Sequence, residues 1–266
     1  MPLRSASAKA ERFAALHRSC FVIANAWDAG SARILAGLGF PALATSSGAH
    51  AGTLGRRDGQ VTRDEALAHA RAIVEASDLP VSADLENCFA DEPAAAAETV
   101  RLAAEVGLAG CSIEDSVGSR IYEFELAVER VAAAAHRKQV VLTARAENFL
   151  RGNPDLADTI RRLQAYEKAG ADVLMAPGLP DLESVRKVCA ALSKPFNFMA
   201  GIKGKSFSVA ELQAAGVRRV SLATSLWRAA MTGLIEAARE AKEQGTFGFL
   251  ERSLSTPDIT KSFPKP

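Results

Sequence analysis

The sequence lacks the features that would place the protein on a nucleic acid or in a membrane. Its 266 residues contain 32 Lys and Arg against 31 Asp and Glu, and no Lys/Arg cluster supplies the cationic stripe that a nucleic-acid surface needs. No apolar run approaches the length of a membrane span, and residues 1–11 have no apolar segment like that of a secretion signal. The sequence therefore predicts small-molecule partners, with no nucleic acid and no membrane.

Cysteine is also scarce. The four cysteines, Cys20, Cys88, Cys111 and Cys189, form no Cys-x-x-Cys pair. Three of them lie in or beside apolar segments, where a reduced thiol packs as a small hydrophobic group. This pattern indicates a reducing compartment, and we expect a cytoplasmic protein.

What the sequence does contain is an alternation of short apolar runs and helical patterns. Eight runs have the length of β-strands, at 20–24, 42–45, 80–86, 110–115, 140–145, 172–178, 194–200 and 217–223. Eight strand–helix units in 266 residues are typical of a (β/α)8 TIM barrel, whereas doubly wound sheets show the same alternation with fewer strands. We predict an α/β fold with one barrel domain over 1–266, in which 253–266 form a carboxyl-terminal arm.

Three successive predicted strands end in charged residues. The third ends in Asp84 and Glu86, the fourth in Glu114, and the fifth in Arg145. Because the carboxyl ends of barrel strands open on one face, these side chains should converge. Carboxylate oxygens suit Mg²⁺ or Mn²⁺ better than zinc. We predict that Asp84, Glu86 and Glu114 form a metal site, and the alternative is that they are solvated loop carboxylates.

Two features of this face suit a substrate carboxylate. The Arg145 guanidinium can bind a carboxylate at two points, unless it serves in a salt bridge to a neighbouring loop. Ser47, Gly48 and Ala49 follow the second strand, and their small size lets backbone N–H groups approach an anion. This segment is either a carboxylate or oxyanion cradle or an ordinary flexible turn.

Three more residues are expected on loops of the same face. Trp27 follows the first strand and either lines a ligand pocket or packs, and Asp58 lies on the glycine-bearing loop after the second strand. Of the four histidines, His50 alone is expected on a substrate-face loop. His50 is the predicted proton donor, although a solvated loop histidine fits the sequence equally well.

Six motifs occur in a fixed order along the chain. They are Asn25–Asp28, Thr45–Ala49, Gly52–Gly55 with Asp58, Ala83–Glu86, Ile113–Asp115 and Thr143–Arg145. Together they resemble the isocitrate lyase/phosphoenolpyruvate mutase superfamily, and the resemblance spans nearly the whole chain. It implies a barrel whose eighth helix is exchanged between subunits, and therefore a homodimer or homotetramer.

The resemblance also implies roles for individual residues. Asp84 would hold Mg²⁺ directly or through water, and Glu86 and Glu114 would complete an acidic shell. The substrate would be bound by the residues Trp27, Thr45, Ser47, Gly48, Ala49, Asp58 and Arg145.

The chain departs from that superfamily in ways that bear on the reaction. Isocitrate and methylisocitrate lyases carry a cysteine-bearing loop after the fourth strand, whereas this chain has no cysteine between Cys111 and Cys189. The segment here, Ser116–Arg120, is too short for a long lid and offers only serines to a phosphorus centre. Positions near Gly178 and Met199 lack the glutamate and asparagine of those lyases, which argues against a tricarboxylate substrate.

These features predict a Mg²⁺-dependent carbon–carbon lyase. It would act on a small 2-oxo or dicarboxylic acid through an enolate, by decarboxylation or by retro-aldol cleavage. One alternative is phosphorus–carbon chemistry of the phosphonopyruvate hydrolase or phosphoenolpyruvate mutase type. Another is a 2-oxo acid binder without catalytic activity.

Overall fold

A closed barrel of parallel strands forms the body of the molecule. The computed structural model describes residues 8–136 and 138–263. The strands found there are β1 (Phe21–Asn25), β2 (Leu43–Ala44), β3 (Val81–Ala83), β4 (Gly110–Glu114), β5 (Ser116–Val117), β6 (Arg120–Ile121), β7 (Val141–Arg145), β8 (Val173–Met175), β9 (Phe196–Met199) and β10 (Arg219–Ser221). Eight of them close the barrel in the order β1-β10-β9-β8-β7-β4-β3-β2, while β5 and β6 form a separate antiparallel hairpin.

Helices connect the barrel strands. In chain order they are α1 (Ala8–Leu16), α2 (Ala29–Gly37), α3 (Ser47–Thr53), α4 (Arg63–Ala76), α5 (Pro93–Glu105), α6 (Phe124–His136), α7 (Leu156–Lys168), α8 (Leu182–Ala190), α9 (Val209–Ala214), α10 (Ser225–Arg239) and α11 (Thr256–Thr260). A π-helical turn, Glu240–Gln244, continues α10, and Gly248–Arg252 form a 3₁₀ helix. None of the helices in the described part of the chain combines the length and apolar character of a membrane span.

This architecture confirms the predicted (β/α)8 TIM barrel. Each predicted strand overlaps an observed one, but six of the eight observed strands end earlier than predicted, and Asp84 and Glu86 lie just beyond β3. The exchange of the eighth helix and the division into one domain with an arm over 253–266 stay predictions. Of the residues in that division, 1–7, 137 and 264–266 lie outside the described residues.

Helix α1 closes the amino-terminal end of the barrel. Phe13 is fully buried and packs edge-on against Phe21 of β1, with 6.4 Å between ring centroids. It lies so close to β4 that a Cβ atom at Gly110 would be 2.7 Å from the Phe13 ring. Because only a glycine fits there, the helix can insert its aromatic side chain into the barrel, and the opposite end is left to form a cavity.

A buried arginine, Arg219, lies inside the barrel near the Phe13 side chain. Arg219 of β10 donates hydrogen bonds to Asn197 Oδ1 at 2.8 Å, Thr143 Oγ1 at 2.9 Å and His17 Nε2 at 3.4 Å. All three acceptors are neutral, and no carboxylate of the described residues pairs with this cation. Burial and repulsion by Arg145 lower the pKa of Arg219 to about 9.

The contact with Arg219 makes His17 a source of acid sensitivity. Burial and the neighbouring Arg219 charge lower the pKa of His17 from 6.5 to about 3. The unfolded chain therefore binds a proton before the folded one, so stability is lost as pH falls from about 6.5 towards 3. Between pH 6.5 and 5 this group alone should lower the free energy of unfolding by about 2 kcal/mol.

Urea unfolding at pH 7 and pH 5 tests the role of His17. The free energy of unfolding should fall less between these pH values for His17→Gln than for wild type. Equal decreases would contradict the assignment.

Candidate active site

The carboxyl ends of the barrel strands surround a cavity of about 340 Å³. Its lining includes six of the residues predicted from the sequence: Thr45, Ser47, Asp58, Asp84, Glu114 and Arg145. The cavity is large enough for a small organic acid with a few waters, since a water molecule occupies about 30 Å³ in the liquid.

Asp84 is the hub of this cavity. Its Oδ1 accepts hydrogen bonds from Ser112 Oγ at 3.2 Å and from Arg145 Nη1 at 3.1 Å. Its Oδ2 accepts from the hydroxyl and backbone N–H of Ser47, at 3.2 and 3.4 Å. The Asp84 backbone N–H donates to Thr45 Oγ1 at 2.9 Å, which fixes the start of the loop after β3. The carboxylate is thus oriented by donors from three elements, β4, β7 and the start of α3.

Arg145 is held by three carboxylates. Its Nη1 lies 3.1 Å from Asp84 Oδ1 and 3.0 Å from Glu114 Oε1, and its Nε donates to Glu147 Oε1 at 2.8 Å. Burial opposes the charge, but Glu114, Glu147 and Asp84 together raise the pKa of Arg145 above its usual value. Nη2 has no hydrogen-bond partner among the described residues, so one edge of the guanidinium remains available to a ligand. The alternative of a salt bridge is therefore present, and the binding of a substrate carboxylate by Arg145 stays a prediction.

Glu114 connects Arg145 to a second cation. One carboxylate oxygen contacts Arg145, and the other lies 3.4 Å from Arg151 Nη2. Burial raises the pKa of Glu114 well above its usual range, although Arg145 opposes this shift. The side chain is 9% exposed, so Glu114 is an interior group of the site.

Glu86 lies on an unusual stretch of backbone. Its φ angle is 50°, and Cys88 and Phe89 are also left-handed, at 60° and 57°. These conformations are strained for residues other than glycine and are common at functional sites. Glu86 Oε1 is buried with no hydrogen-bond partner in the described residues, and it lines a small pocket shared with Asp84 and Ser47. Burial, with repulsion by Asp84 and Asp58, raises the pKa of Glu86 to about 7.

These carboxylates do not form a ready cage for a metal. Within the described residues, no three His, Cys, Asp or Glu side chains are close enough to hold one ion. The predicted metal site, with Asp84 as a direct or water-mediated ligand and Glu86 and Glu114 completing the acidic shell, stays a prediction. A hydrated cation fits the same residues, because Mg²⁺ keeps several waters that can bridge to more distant carboxylates. The orphaned Glu86 Oε1 is an acceptor that such a water would satisfy.

The predicted cradle is the first turn of a helix. Ser46 caps α3 by accepting from the Ala49 N–H at 3.4 Å, and Ser47 points both donors at Asp84. A Cβ atom at Gly48 would lie 3.2 Å from Thr224 and 3.3 Å from Asp58, so glycine permits the close approach of two cavity-lining residues. The segment is a fixed helical turn beside Asp84, and its contact with a substrate stays a prediction.

His50 and Trp27 are not among the residues that line the cavity. His50 lies within α3 and stacks on His69, with 3.8 Å between ring centroids, and neither of its nitrogens has a partner in the described residues. Burial lowers the pKa of His50, which favours the neutral ring. The predicted loop position of His50 is wrong, because the residue lies in α3, and its role as proton donor stays a prediction; it lines the small pocket shared with Asp84 and Glu86. The Trp27 carbonyl accepts a hydrogen bond from His69 Nε2 at 2.9 Å, and the contact of the Trp27 side chain with a ligand stays a prediction.

Sequence reasoning missed several cavity residues. Glu147 is fully buried with Oε2 unpartnered in the described residues, and Arg151 and Arg219 also line the cavity. Glu147 could have been found, since it follows Arg145 by two residues at a strand end. Arg219 could have been found as well, because it shares one strand face with Ser221. Arg151 has no such pattern, since it comes from an irregular loop.

A buried network holds Glu147 in place. Asp115 Oδ1 accepts from the Glu147 N–H at 2.8 Å. Asp115 Oδ2 accepts from Tyr166 at 2.6 Å and from Arg162 at 3.3 Å. Because Glu147 in turn binds Arg145, this network orients the guanidinium of the cavity from behind.

Comparison with known proteins relates this chain to enzymes. The phosphoenolpyruvate phosphomutase family model matches residues 13–242. One solved structure is that of a protein from Burkholderia cenocepacia J2315, described as a lyase or mutase, which is 47% identical with a TM-score of 0.94. The match covers 97% of this chain and 96% of that one.

Two relatives of known reaction are similar along most of their length. 2-Methylisocitrate lyase of Escherichia coli K12 is 29% identical, over 90% of this chain and 85% of its own. Oxaloacetate decarboxylase 2 of Pseudomonas fluorescens Pf0-1 is also 29% identical, over 92% of this chain and 86% of its own.

Proposed function

Because this chain belongs to the isocitrate lyase/phosphoenolpyruvate mutase superfamily, we propose that it is a Mg²⁺-dependent carbon–carbon lyase. The substrate is a small 2-oxo or dicarboxylic acid, cleaved by decarboxylation or retro-aldol chemistry through an enolate. The names of the two relatives support this class of reaction, since one is a lyase and the other a decarboxylase. The observation that carries the proposal is the carboxylate surplus around Asp84, which includes the orphaned Glu86 oxygen.

The residues of the cavity would have separate roles in metal and substrate binding. Asp84 would hold Mg²⁺, and Glu86 and Glu114 would accept hydrogen bonds from its waters. Bound there, Mg²⁺ supplies a Lewis acid that stabilises negative charge developing on oxygen. Arg145 presents Nη2 to the substrate carboxylate, and the three carboxylates that hold its other nitrogens keep that edge fixed. The preorganised donor then needs no reorientation when charge develops.

A panel of 2-oxo and 2-hydroxy acids, with and without EDTA, tests the proposal. We expect turnover of at least one acid that is lost with EDTA and restored by Mg²⁺, read as pyruvate, CO₂ or aldehyde. Release of phosphate from phosphonopyruvate, or its conversion to phosphoenolpyruvate, would indicate phosphorus–carbon chemistry instead. Binding of Mg²⁺ and an oxo acid without any turnover would indicate a binding protein.

The source of the proton can be tested in D₂O. The residues described as lining the cavity include no histidine, cysteine, lysine or tyrosine. The segment after β4 is the short β5–β6 hairpin rather than a long lid, so water can reach the enolate. Turnover in D₂O should place deuterium, with weak or no stereochemical preference, at the carbon that loses its bond. Stereospecific incorporation, seen by NMR of the product, would show that a residue or a lid delivers the proton.

The last barrel helix favours an oligomer. None of the residues of α10 is buried, and Leu234 and Ile235 are 60% and 49% exposed. A helix that follows a barrel strand normally covers it, so we propose that a second copy of the chain covers this face. Light scattering should give the mass of a dimer or tetramer, and Leu234→Glu should shift it towards the monomer. A monomeric wild type would contradict this assembly.

A further inference from the structure

Arg151 is a second cation at the cavity, on the loop between β7 and α7. Its side chain is 29% exposed, compared with 10% for Arg145, and it lines the same cavity. Unlike Arg145, it contacts a single carboxylate, that of Glu114, and the contact is long at 3.4 Å. Most of its charge is therefore available to a ligand.

Arg151 is held in one orientation without being neutralised. Its Nε donates to Ser116 Oγ on the β5–β6 hairpin at 3.0 Å, and its backbone N–H donates to the Glu147 carbonyl at 3.0 Å. Nη1 has no hydrogen-bond partner among the described residues. The guanidinium is therefore held in place while Nη1 remains free to donate to a ligand. This fixed position lowers the entropy lost when an anion binds.

The loop that carries Arg151 is itself well supported. Asn148 donates to Asp158 on α7 at 2.9 Å, which ties the loop to the next helix. A Cβ atom at Gly178 would lie 3.1 Å from both Phe149 and Leu150, so the loop packs closely against the segment after β8. These contacts favour a stable position for Arg151 at the cavity wall.

The positions of the two arginines suit a short diacid. The Glu114 carboxylate lies between them, with one oxygen on Arg145 Nη1 and the other on Arg151 Nη2. The two guanidinium groups are therefore separated by one carboxylate, with a contact of 3.0 Å on one side and of 3.4 Å on the other. A molecule with a carboxylate at each end of a short chain can reach both.

Arg219 also lines the cavity, and no carboxylate of the described residues pairs with it, but it suits this role less well. It is 4% exposed, and its three nitrogens are already bound to Asn197, Thr143 and His17. A ligand carboxylate would have to displace these bonds, whereas Arg151 Nη1 is free.

We propose that Arg151 is a specificity-determining residue that binds the second carboxylate of the substrate, at the end away from Asp84. This inference rests on the proposed function, because it assumes that the first carboxylate lies between Arg145 and the metal site. It assigns to a single side chain the distinction between dicarboxylic and monocarboxylic acids. A charge-assisted pair of this kind is worth about tenfold in affinity or more.

Malate and lactate of the same configuration test this directly, because they differ only in the second carboxylate. Their dissociation constants are measured by calorimetry on the Mg²⁺-loaded full chain, and NMR of the recovered ligand checks that it is intact. Wild type should bind malate at least about tenfold more tightly than lactate. Arg151→Met should remove this preference while lactate affinity is unchanged, and Arg151→Lys should restore part of it. Arg71→Met, on the exposed surface of α4, removes the same charge elsewhere and should leave the preference intact.

Each other outcome has a definite meaning. Equal affinity of wild type for the two acids, or a preference for malate that survives Arg151→Met, overturns the inference and leaves the proposed function standing. A loss of lactate affinity as well as malate affinity in Arg151→Met overturns it too, because that pattern indicates a general disturbance through Glu114. Failure of wild type to bind either acid overturns the proposed ligand class, and this inference with it.

Discussion

Replacing Asp84 with alanine should abolish Mg²⁺ binding and lower kcat/KM by at least about 100-fold. Loss of groups that merely orient metal ligands costs about 10- to 100-fold, and Asp84 is the proposed ligand itself. The change also removes the acceptor shared by Ser47, Ser112 and Arg145. Calorimetry with Mg²⁺ and turnover of the active acid from the panel give the two measurements.

Two further variants make the Asp84 result decisive. Asp84→Asn keeps the shape and the hydrogen bonds to one of the two oxygens but not the charge, so it should fold and still fail to bind Mg²⁺. Asp64→Ala removes a carboxylate whose side chain is 84% exposed on α4, and its Mg²⁺ affinity should equal that of wild type. Unchanged Mg²⁺ affinity in Asp84→Asn would show that the metal is held elsewhere.

Replacing Arg145 with methionine should destabilise the fold by about 3–5 kcal/mol as well as remove activity. The large effect is expected because removal of one partner leaves buried charges uncompensated. Glu147 is fully buried and Glu114 is 9% exposed, and both lose their closest cation. Urea unfolding at neutral pH measures the change, and a loss below about 1 kcal/mol would mean that these carboxyl groups are neutral when the arginine is absent.

A lysine at position 145 separates charge from geometry. Arg145→Lys keeps one positive charge but cannot contact Glu147, Glu114 and a ligand at the same time. It should recover part of the stability and little of the substrate affinity, and a near-normal KM would assign Arg145 a purely structural role. Arg12→Met, an exposed change on α1 at the opposite end of the barrel, should alter unfolding by no more than about 0.5 kcal/mol.

The convergence of the acidic residues and Arg145 was predictable from the sequence. Asp84, Glu114 and Arg145 follow or end β3, β4 and β7, which are neighbours in the closed barrel. Parallel strands project their carboxyl ends onto one face, so strand order alone brings these side chains together. The sequence could not show that Arg145 pairs with Asp84, Glu114 and Glu147. That arrangement depends on side-chain rotamers and on the position of Glu147 beyond the strand.

His50 shows where local pattern fails. Gly48 and Gly52 flank it, and glycine disfavours helices, so the sequence favours a loop. The structure forms α3 there, with Ser46 capping its first turn. The helix packs so closely against α10 that a Cβ atom at Gly52 would lie 2.4 Å from Trp227, so glycine is required at this contact. Tertiary contacts of this kind come from residues far along the chain, and no local pattern reports them.

The seam between the first and last barrel strands bears on how the chain folds. Phe21 of β1 is paired with Arg219 of β10, and His17 contacts Arg219 across 202 residues of sequence. Until β10 has been synthesised, β1 remains an open sheet edge, and contacts so distant in sequence form slowly. The loss of water around the Arg219 guanidinium coincides with closure of this seam. The barrier to completing the barrel therefore includes the dehydration of a cation, and the nascent chain is most exposed to aggregation just before that step.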